Sequence, residues 1–261
     1  MNEWRLQRLR RHLVAAGLDA VWVGNAQNRR YLSGFSGSAG LLLLTADTQQ
    51  LFTDFRYQEQ AAAEAPLYEI CLYKGVAAKA LAEAIGSKGI RRLGFESKHC
   101  TVASYRELQA LLPAECELID TELESLRFVK DEEELKAIRE AVRIADAAFT
   151  HILSYLRPGL EERQVAAELE QRMRCLGSER PAFDTIVASG IRGALPHGVA
   201  SEKKLAAGDW VTMDFGAVYQ GYHSDITRTV CLGPATEQQK AAYALVLAAQ
   251  KAGVAAIRPG K

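Results

Sequence analysis

Between Trp210 and Val230 two β-rich runs, Trp210-Val-Thr-Met-Asp214-Phe and Asp225-Ile-Thr-Arg-Thr-Val230, flank a short segment that contains Gly216 and Gly221. Strand formers on both sides of a glycine-bearing turn close as an antiparallel hairpin. With Tyr219 and Gln220 as the turn, opposed positions sum to 439, and Asp214 is expected directly across from Asp225. Directly opposed side chains have Cβ atoms about 4.5–5.5 Å apart, where like charges destabilise a sheet. Either one carboxyl keeps its proton or a divalent cation sits between the two, unless irregularity in the loop separates them. Val211, Met213, Phe215, Ile226 and Val230 would line the other face of a substantially buried ribbon, which favours a metal site.

Hard oxygen ligands suit magnesium, manganese or calcium, and added imidazole shifts the preference toward manganese, iron, cobalt or zinc. Two carboxylates do not complete a catalytic metal site, so further ligands are needed. His12 and His151 fall in predicted helices and His99 on a polar loop, where each is expected to be a surface or satisfied histidine. His223 shares the parity of Asp225 and belongs on the same strand face, as a surface residue or a neighbour of the metal. His197 lies in Gly193-Ala-Leu-Pro196-His197-Gly198, a loop after the strand expected at Thr185 to Ala188. An imidazole held in such a loop can bind substrate or move a proton at neutral pH, the alternative being an ordinary exposed histidine.

The remainder of the chain reads as ordinary α/β protein. Of its 261 residues 48% are hydrophobic, and 32 basic balance 32 acidic side chains, which excludes disorder and removes the charge footprint of a nucleic-acid binder. The run without a charge or a strongly polar group from Ala241 to Ala249 falls well short of the roughly 18 residues of a membrane span. The arginine-rich start reads as an amphipathic helix with a solvated basic face, not a signal peptide. Five scattered cysteines without a C-x-x-C pair point to buried, reduced thiols and a cytoplasmic protein. Helical spacing predicts helices at Trp4 to Ala16, Arg56 to Ala65, Ala77 to Ile85 and Val102 to Leu112. Strands are expected at Ala20 to Val23, Gly40 to Thr45, Gln50 to Thr53, Tyr68 to Tyr73, Leu93 to Phe95 and Glu117 to Ile119.

A polar boundary follows between Asp120 and Lys130, before Asp131-Glu-Glu-Glu134, which can cap a helix reciprocally. That helix is expected to reach Leu156, the next to run from Glu161 to Leu176, and another to start at Thr236. Arg139 to Gly159 can be laid over Lys240 to Gly260 at an offset of 101 residues, with shared alanines and Arg-Pro-Gly at both ends. Chance recurrence in an alanine-rich chain is one reading. The other is an internal duplication, of which Lys261 closes only the opening helix of the second copy; roughly a hundred more residues would complete it, and the sequence would be a truncated form.

Asp214-Phe-Gly and Gly221-Tyr-His-Ser-Asp225-Ile-Thr-Arg-Thr229, with Phe183-Asp-Thr-Ile-Val-Ala-Ser-Gly190, Leu195-Pro-His-Gly198 and Thr53-Asp-Phe-Arg-Tyr57, resemble the pita-bread metallopeptidases, in the Xaa-Pro aminopeptidase and Xaa-Pro dipeptidase branch. The resemblance implies an α/β fold: a creatinase/prolidase-type N-terminal domain over residues 1–122, then the first half of a pita-bread catalytic domain over 130–261. It implies two divalent metal ions, most simply Mn²⁺ with Co²⁺ or Zn²⁺ as substitutes, which lower the pKa of a bridging water so that hydroxide attacks the bond before proline. Asp214 matches the terminal ligand of one metal, Asp225 the bridging ligand, and His197 the histidine that contacts substrate and assists proton movement. The ligand histidine and two ligand glutamates of that family fall after Lys261, so this chain alone is expected to bind Mn²⁺ weakly and hydrolyse little. The expected partners are a proline-containing peptide and a second copy in a homodimer, with neither nucleic acid nor membrane. A non-catalytic pita-bread binding module and a creatinase-like amidinohydrolase are the alternatives.

Overall fold

The computed structural model describes residues 3–261; the first two positions of the expected 1–122 domain lie outside the described residues. The chain forms two compact units, Met1–Lys130 and Asp131–Lys261. In the first, α1 (Glu3–Ala16), β1 (Ala20–Val23), α2 (Ala26–Ser33), β2 (Leu41–Thr45), β3 (Gln49–Thr53), α3 (Gln58–Glu64), β4 (Glu69–Leu72), α4 (Ala77–Ser87), β5 (Arg92–Phe95), α5 (Val102–Leu111) and β6 (Glu117–Asp120) follow in order. The strands make one mixed sheet in the order β4-β3-β2-β1-β5-β6.

Alternation along each strand decides the layers of this unit, since successive side chains point to opposite faces. Val21, Val23, Leu42 and Leu44 pack with Leu6, Leu9 and Leu13 of α1. Ala20, Trp22 and Leu43 pack the other way, with Leu81 and Ile85 of α4 and Leu108 of α5. Fully burying a leucine or isoleucine side chain contributes about 1.5–3 kcal/mol, so a one-residue slip of β1 would forfeit both layers together. Residues 124–127 form a short 3-10 turn, and Leu123 and Leu126 join the α1 core, so the polar-looking stretch ahead of the second unit is anchored.

Two features of this unit differ from the sequence reading. Helix α2 was not expected, because its buried face includes the polar Asn28 and Arg29. It is fixed by Asn25, whose side chain caps the Asn28 amide at 2.8 Å, by Gly34 with φ of 83°, and by the buried Glu96 carboxylate, which accepts from the Gly24 and Asn25 amides and from Asn28. The basic face of α1 is also not simply solvated. Arg5 and Arg8 donate to the carbonyls of Tyr31 and Leu126, and Arg10 donates to the Gln49 side chain.

The second unit comprises α6 (Glu132–Tyr155), α7 (Glu162–Cys175), β7 (Ile186–Ser189), β8 (Trp210–Phe215), β9 (Val218–Tyr219), β10 (Tyr222–His223), β11 (Ile226–Cys231) and α8 (Glu237–Ala255). Asp131 and Glu134 cap α6 reciprocally, and Thr236 with Gln239 does the same for α8. Strands β11, β8 and β7 form an antiparallel sheet with β8 in the centre. The α6 stripe Ile144, Ala145, Ala148 and Ile152, at the three- and four-residue spacing of one helix face, packs with Val165, Leu169 and Met173 of α7 against Val187, Val211, Met213 and Phe215. One sheet face is thereby filled with helix, which leaves Thr212 and Asp214 of β8 on the other. No described residue of α8 is buried.

Both segments related by the 101-residue offset are helices followed by the same turn, with Gly159 at φ of 91° and Gly260 at 82°. All five cysteines are free, but four are half-buried and Cys175 is exposed, so the expectation of buried thiols is corrected. Among the described residues no helix is long and apolar enough to cross a membrane.

Candidate active site

The hairpin forms, in a register that differs from the expected one. Tyr222 pairs with Tyr219, Ile226 with Phe215 and Thr227 with Asp214, so opposed positions sum to 441 and the turn is Gln220-Gly221. Both turn residues have positive φ, 49° and 80°, as a two-residue turn matched to the twist of the strands requires. Asp214 therefore lies across from Thr227 and not from Asp225, which is a correction. The turn moved by one residue and the sum by two, so side-chain parity within β8 and β11 is unchanged, while Asp225 falls just ahead of β11, between the two paired segments of the ribbon. Ser224 is buried and Ile226 packs on the core, while Asp225 between them is exposed.

At the point between the aspartates the ribbon parts. A Cβ on Gly216 would stand 1.9 Å from the Ser224 carbonyl oxygen, so only glycine fits there. Ser224 closes the gap, with its hydroxyl accepting from the Ala217 amide at 2.9 Å and its own amide donating to the Ala217 carbonyl. Asp214 is half-buried and accepts from the Thr227 hydroxyl at 2.8 Å. Among the described residues no lysine or arginine stands within salt-bridge distance of either aspartate. The donor set is thus two carboxylates without an ion-pair partner among the described residues, oxygen donors of the kind that suit part of a hard-cation site. It does not complete one, since among the described residues no group of three or more His, Cys, Asp or Glu side chains could hold a metal ion.

The sheet also locates the His197 loop. Ile186 pairs with Asp214 on one side and bridges to Val199 on the other, so one row runs Thr227, Asp214, Ile186, Val199. His197 sits two residues before the end of that row, in a turn, and is exposed. Sequence reasoning missed what holds this loop. Glu162, the first residue of α7, has no solvent-exposed side-chain surface and accepts from the Ser189 amide and hydroxyl, both at 2.8 Å. It also accepts from the Ser201 amide at 3.1 Å, the Ser201 hydroxyl at 2.7 Å and the Arg192 guanidinium at 2.5 Å. Burial alone would raise its pKa, but the hydroxyl and amide donors of Ser201 and Ser189 outweigh it and hold the carboxyl below its ordinary value. Its signal in the sequence, an acid at the start of a helix after Arg-Pro-Gly, is too common to single out.

The remaining candidates separate cleanly. His12 bonds to Thr121 at 2.8 Å, His99 to Glu124 at 2.7 Å and His151 to Glu168 at 2.6 Å, each a satisfied histidine. His223 is exposed opposite Val218, and partial burial of its ring followed by the nearby Arg180 lowers its pKa. In the first unit Asp54 pairs locally with Arg56 at 2.7 Å, and Tyr57 packs edge-on to Phe35.

The helix-backed sheet thus carries Asp214 on the face away from the helices, with Asp225 just ahead of β11 and the His197 loop past the end of the Thr227-Asp214-Ile186-Val199 row. The sequence matches the creatinase/prolidase N-terminal domain over residues 5–129 and metallopeptidase family M24 over 136–261. A peptidase of Bacillus subtilis (strain 168), YqhT, is 45% identical over 98% of this chain and 73% of its own length. The Xaa-Pro dipeptidase of Pyrococcus horikoshii is 38% identical, with 100% of this chain and 73% of that protein covered. Among solved structures, the Xaa-Pro dipeptidase from Bacillus anthracis superposes with a TM-score of 0.94 at 45% identity, covering 99% of this chain and 73% of the other. The X-Pro aminopeptidase from Thermotoga maritima superposes at 0.88 with 36% identity, over 95% and 70% of the two chains. The chain belongs to metallopeptidase family M24, with the α/β creatinase-type N-terminal domain and pita-bread fold of that family.

Proposed function

We propose that this protein hydrolyses the Xaa-Pro bond of dipeptides or of peptide N-termini, using two divalent metal ions, Mn²⁺ in the first instance. Relatives at 37–45% identity that carry the names Xaa-Pro dipeptidase and peptidase support the reaction class. What supports the site is that neither Asp214 on β8 nor Asp225 just ahead of β11 has an ion-pair partner among the described residues: Asp214 is assigned as a terminal ligand of one metal and Asp225 as the bridging ligand. Divalent ions held there would supply Lewis acidity and a water of lowered pKa. His197 contacts the substrate and moves a proton at the scissile bond. The two aspartates supply only part of a coordination sphere. The reading includes a domain boundary in residues 122–130, a cytoplasmic location and a homodimer, the last two resting on the free cysteines and on the likeness to prolidases.

The test is Mn²⁺-dependent hydrolysis of Xaa-Pro against Xaa-Ala dipeptides by the purified protein. Activity confined to Xaa-Pro and lost in D214N and D225N is expected. Metal-loaded protein that leaves Xaa-Pro intact, or that acts on creatine instead, would overturn the assignment.

A further inference from the structure

We propose that Glu162 is the positioning residue for His197: one buried carboxylate gathers both ends and the opening turn of the loop from Ser189 to Ser201 and so fixes where that histidine stands. The inference rests on the role given to His197 above. Ser189 is the last residue of β7, Arg192 lies early in the loop, and Ser201 closes it, and all three donate to the same two oxygens. Arg192 also reaches forward to the Val199 carbonyl at 2.9 Å, two residues past His197, so its guanidinium cross-links the loop across the histidine. Lys203 adds a second brace, donating to the Ser189 hydroxyl at 2.7 Å and to Asp209 at 2.8 Å.

Besides these bonds the loop is held by the Ile186–Val199 bridge and by Gly198, buried against Ala188, both on the far side of His197 from Arg192. Ile191, Leu195, His197 and Val199 are exposed, so apolar side chains contribute little to fixing the loop. Five donors converge on Glu162, and every one of them needs an acceptor. A carboxylate presents only acceptors to this set, whereas the isosteric amide of glutamine turns an NH₂ group toward donors and leaves part of the set unpaired.

The experiment uses the full chain carrying E162Q, with R192M and S201A as milder variants that each remove donors but keep the buried acid. Amide hydrogen exchange of residues 190–200 is expected to accelerate about tenfold or more in each variant, while exchange in α6 and β8 stays as in the parent. In the metal-loaded enzyme E162Q is expected to lower kcat about tenfold in the parent but less than about threefold in an H197A background, because it acts through that histidine. Unchanged exchange across 190–200 in folded E162Q, or in R192M and S201A where E162Q fails to fold, overturns the proposal. So does an E162Q effect of equal size with and without His197. Should the parent show no Xaa-Pro hydrolysis, the peptidase reading fails by itself, and the exchange data still decide whether Glu162 holds the loop.

Discussion

Gly216 and Glu162 show how single residues set the candidate site. A methyl group at Gly216 would meet a backbone oxygen at 1.9 Å, and the chain there is already held by Ser224. G216A is therefore expected to destabilise the second unit by about 3 kcal/mol, read as a fall in thermal midpoint together with weakened Mn²⁺ binding. Replacing Glu162 by glutamine leaves buried donors unpaired and is expected to cost about 2–3 kcal/mol in chemical denaturation. The acid limb of stability follows from the same group. Glu162 and Asp209 both have folded pKa values below their ordinary ones. For Asp209, burial acts upward and is outweighed by the Lys203 bond and the Ala206 amide. Groups depressed on folding contribute stability that is present above the unfolded carboxylate pKa of about 4 and is lost as pH falls through the folded value. Stability measured from pH 6 downward should hold to about pH 4.5 and then decline, and E162Q should flatten that decline.

At the scale of elements, the hairpin is governed by its turn. Gly221 at φ of 80° adopts a backbone conformation that costs an L-residue roughly 1–2 kcal/mol. G221A is thus expected to lower stability by about 1 kcal/mol, and Q220N to raise it, since asparagine tolerates the left-handed region better. The same turn explains which part of the site was legible in the sequence. Alternation of Val211, Met213 and Phe215 with Thr212 and Asp214 fixed the faces, because period two survives any even change of register. The opposition of Asp214 and Asp225 was not legible, since Gln220 is an unusual first residue for a turn needing positive φ at both centres. Helix α2 escaped for a related reason: it buries Asn28 and Arg29 and makes sense only beside Glu96 and the Gly40 carbonyl, both far away in sequence or in another segment. The long helices were plain, because capping residues, apolar stripes and glycine stops agreed at Asp131, Gly177 and Thr236.

For the whole molecule, a sheet filled on one face by α6 and α7 leaves the other free for chemistry, and the family assignment gives that chemistry its class. The account stands on joint coordination of one divalent site by Asp214 and Asp225. Mn²⁺ binding to the parent protein, D214N, D225N and the double variant, followed by electron paramagnetic resonance of the free ion, tests it most directly. Each single variant should weaken binding about tenfold or more, and the double variant little further, because both acids serve one site. Binding that is unchanged in both single variants would contradict it.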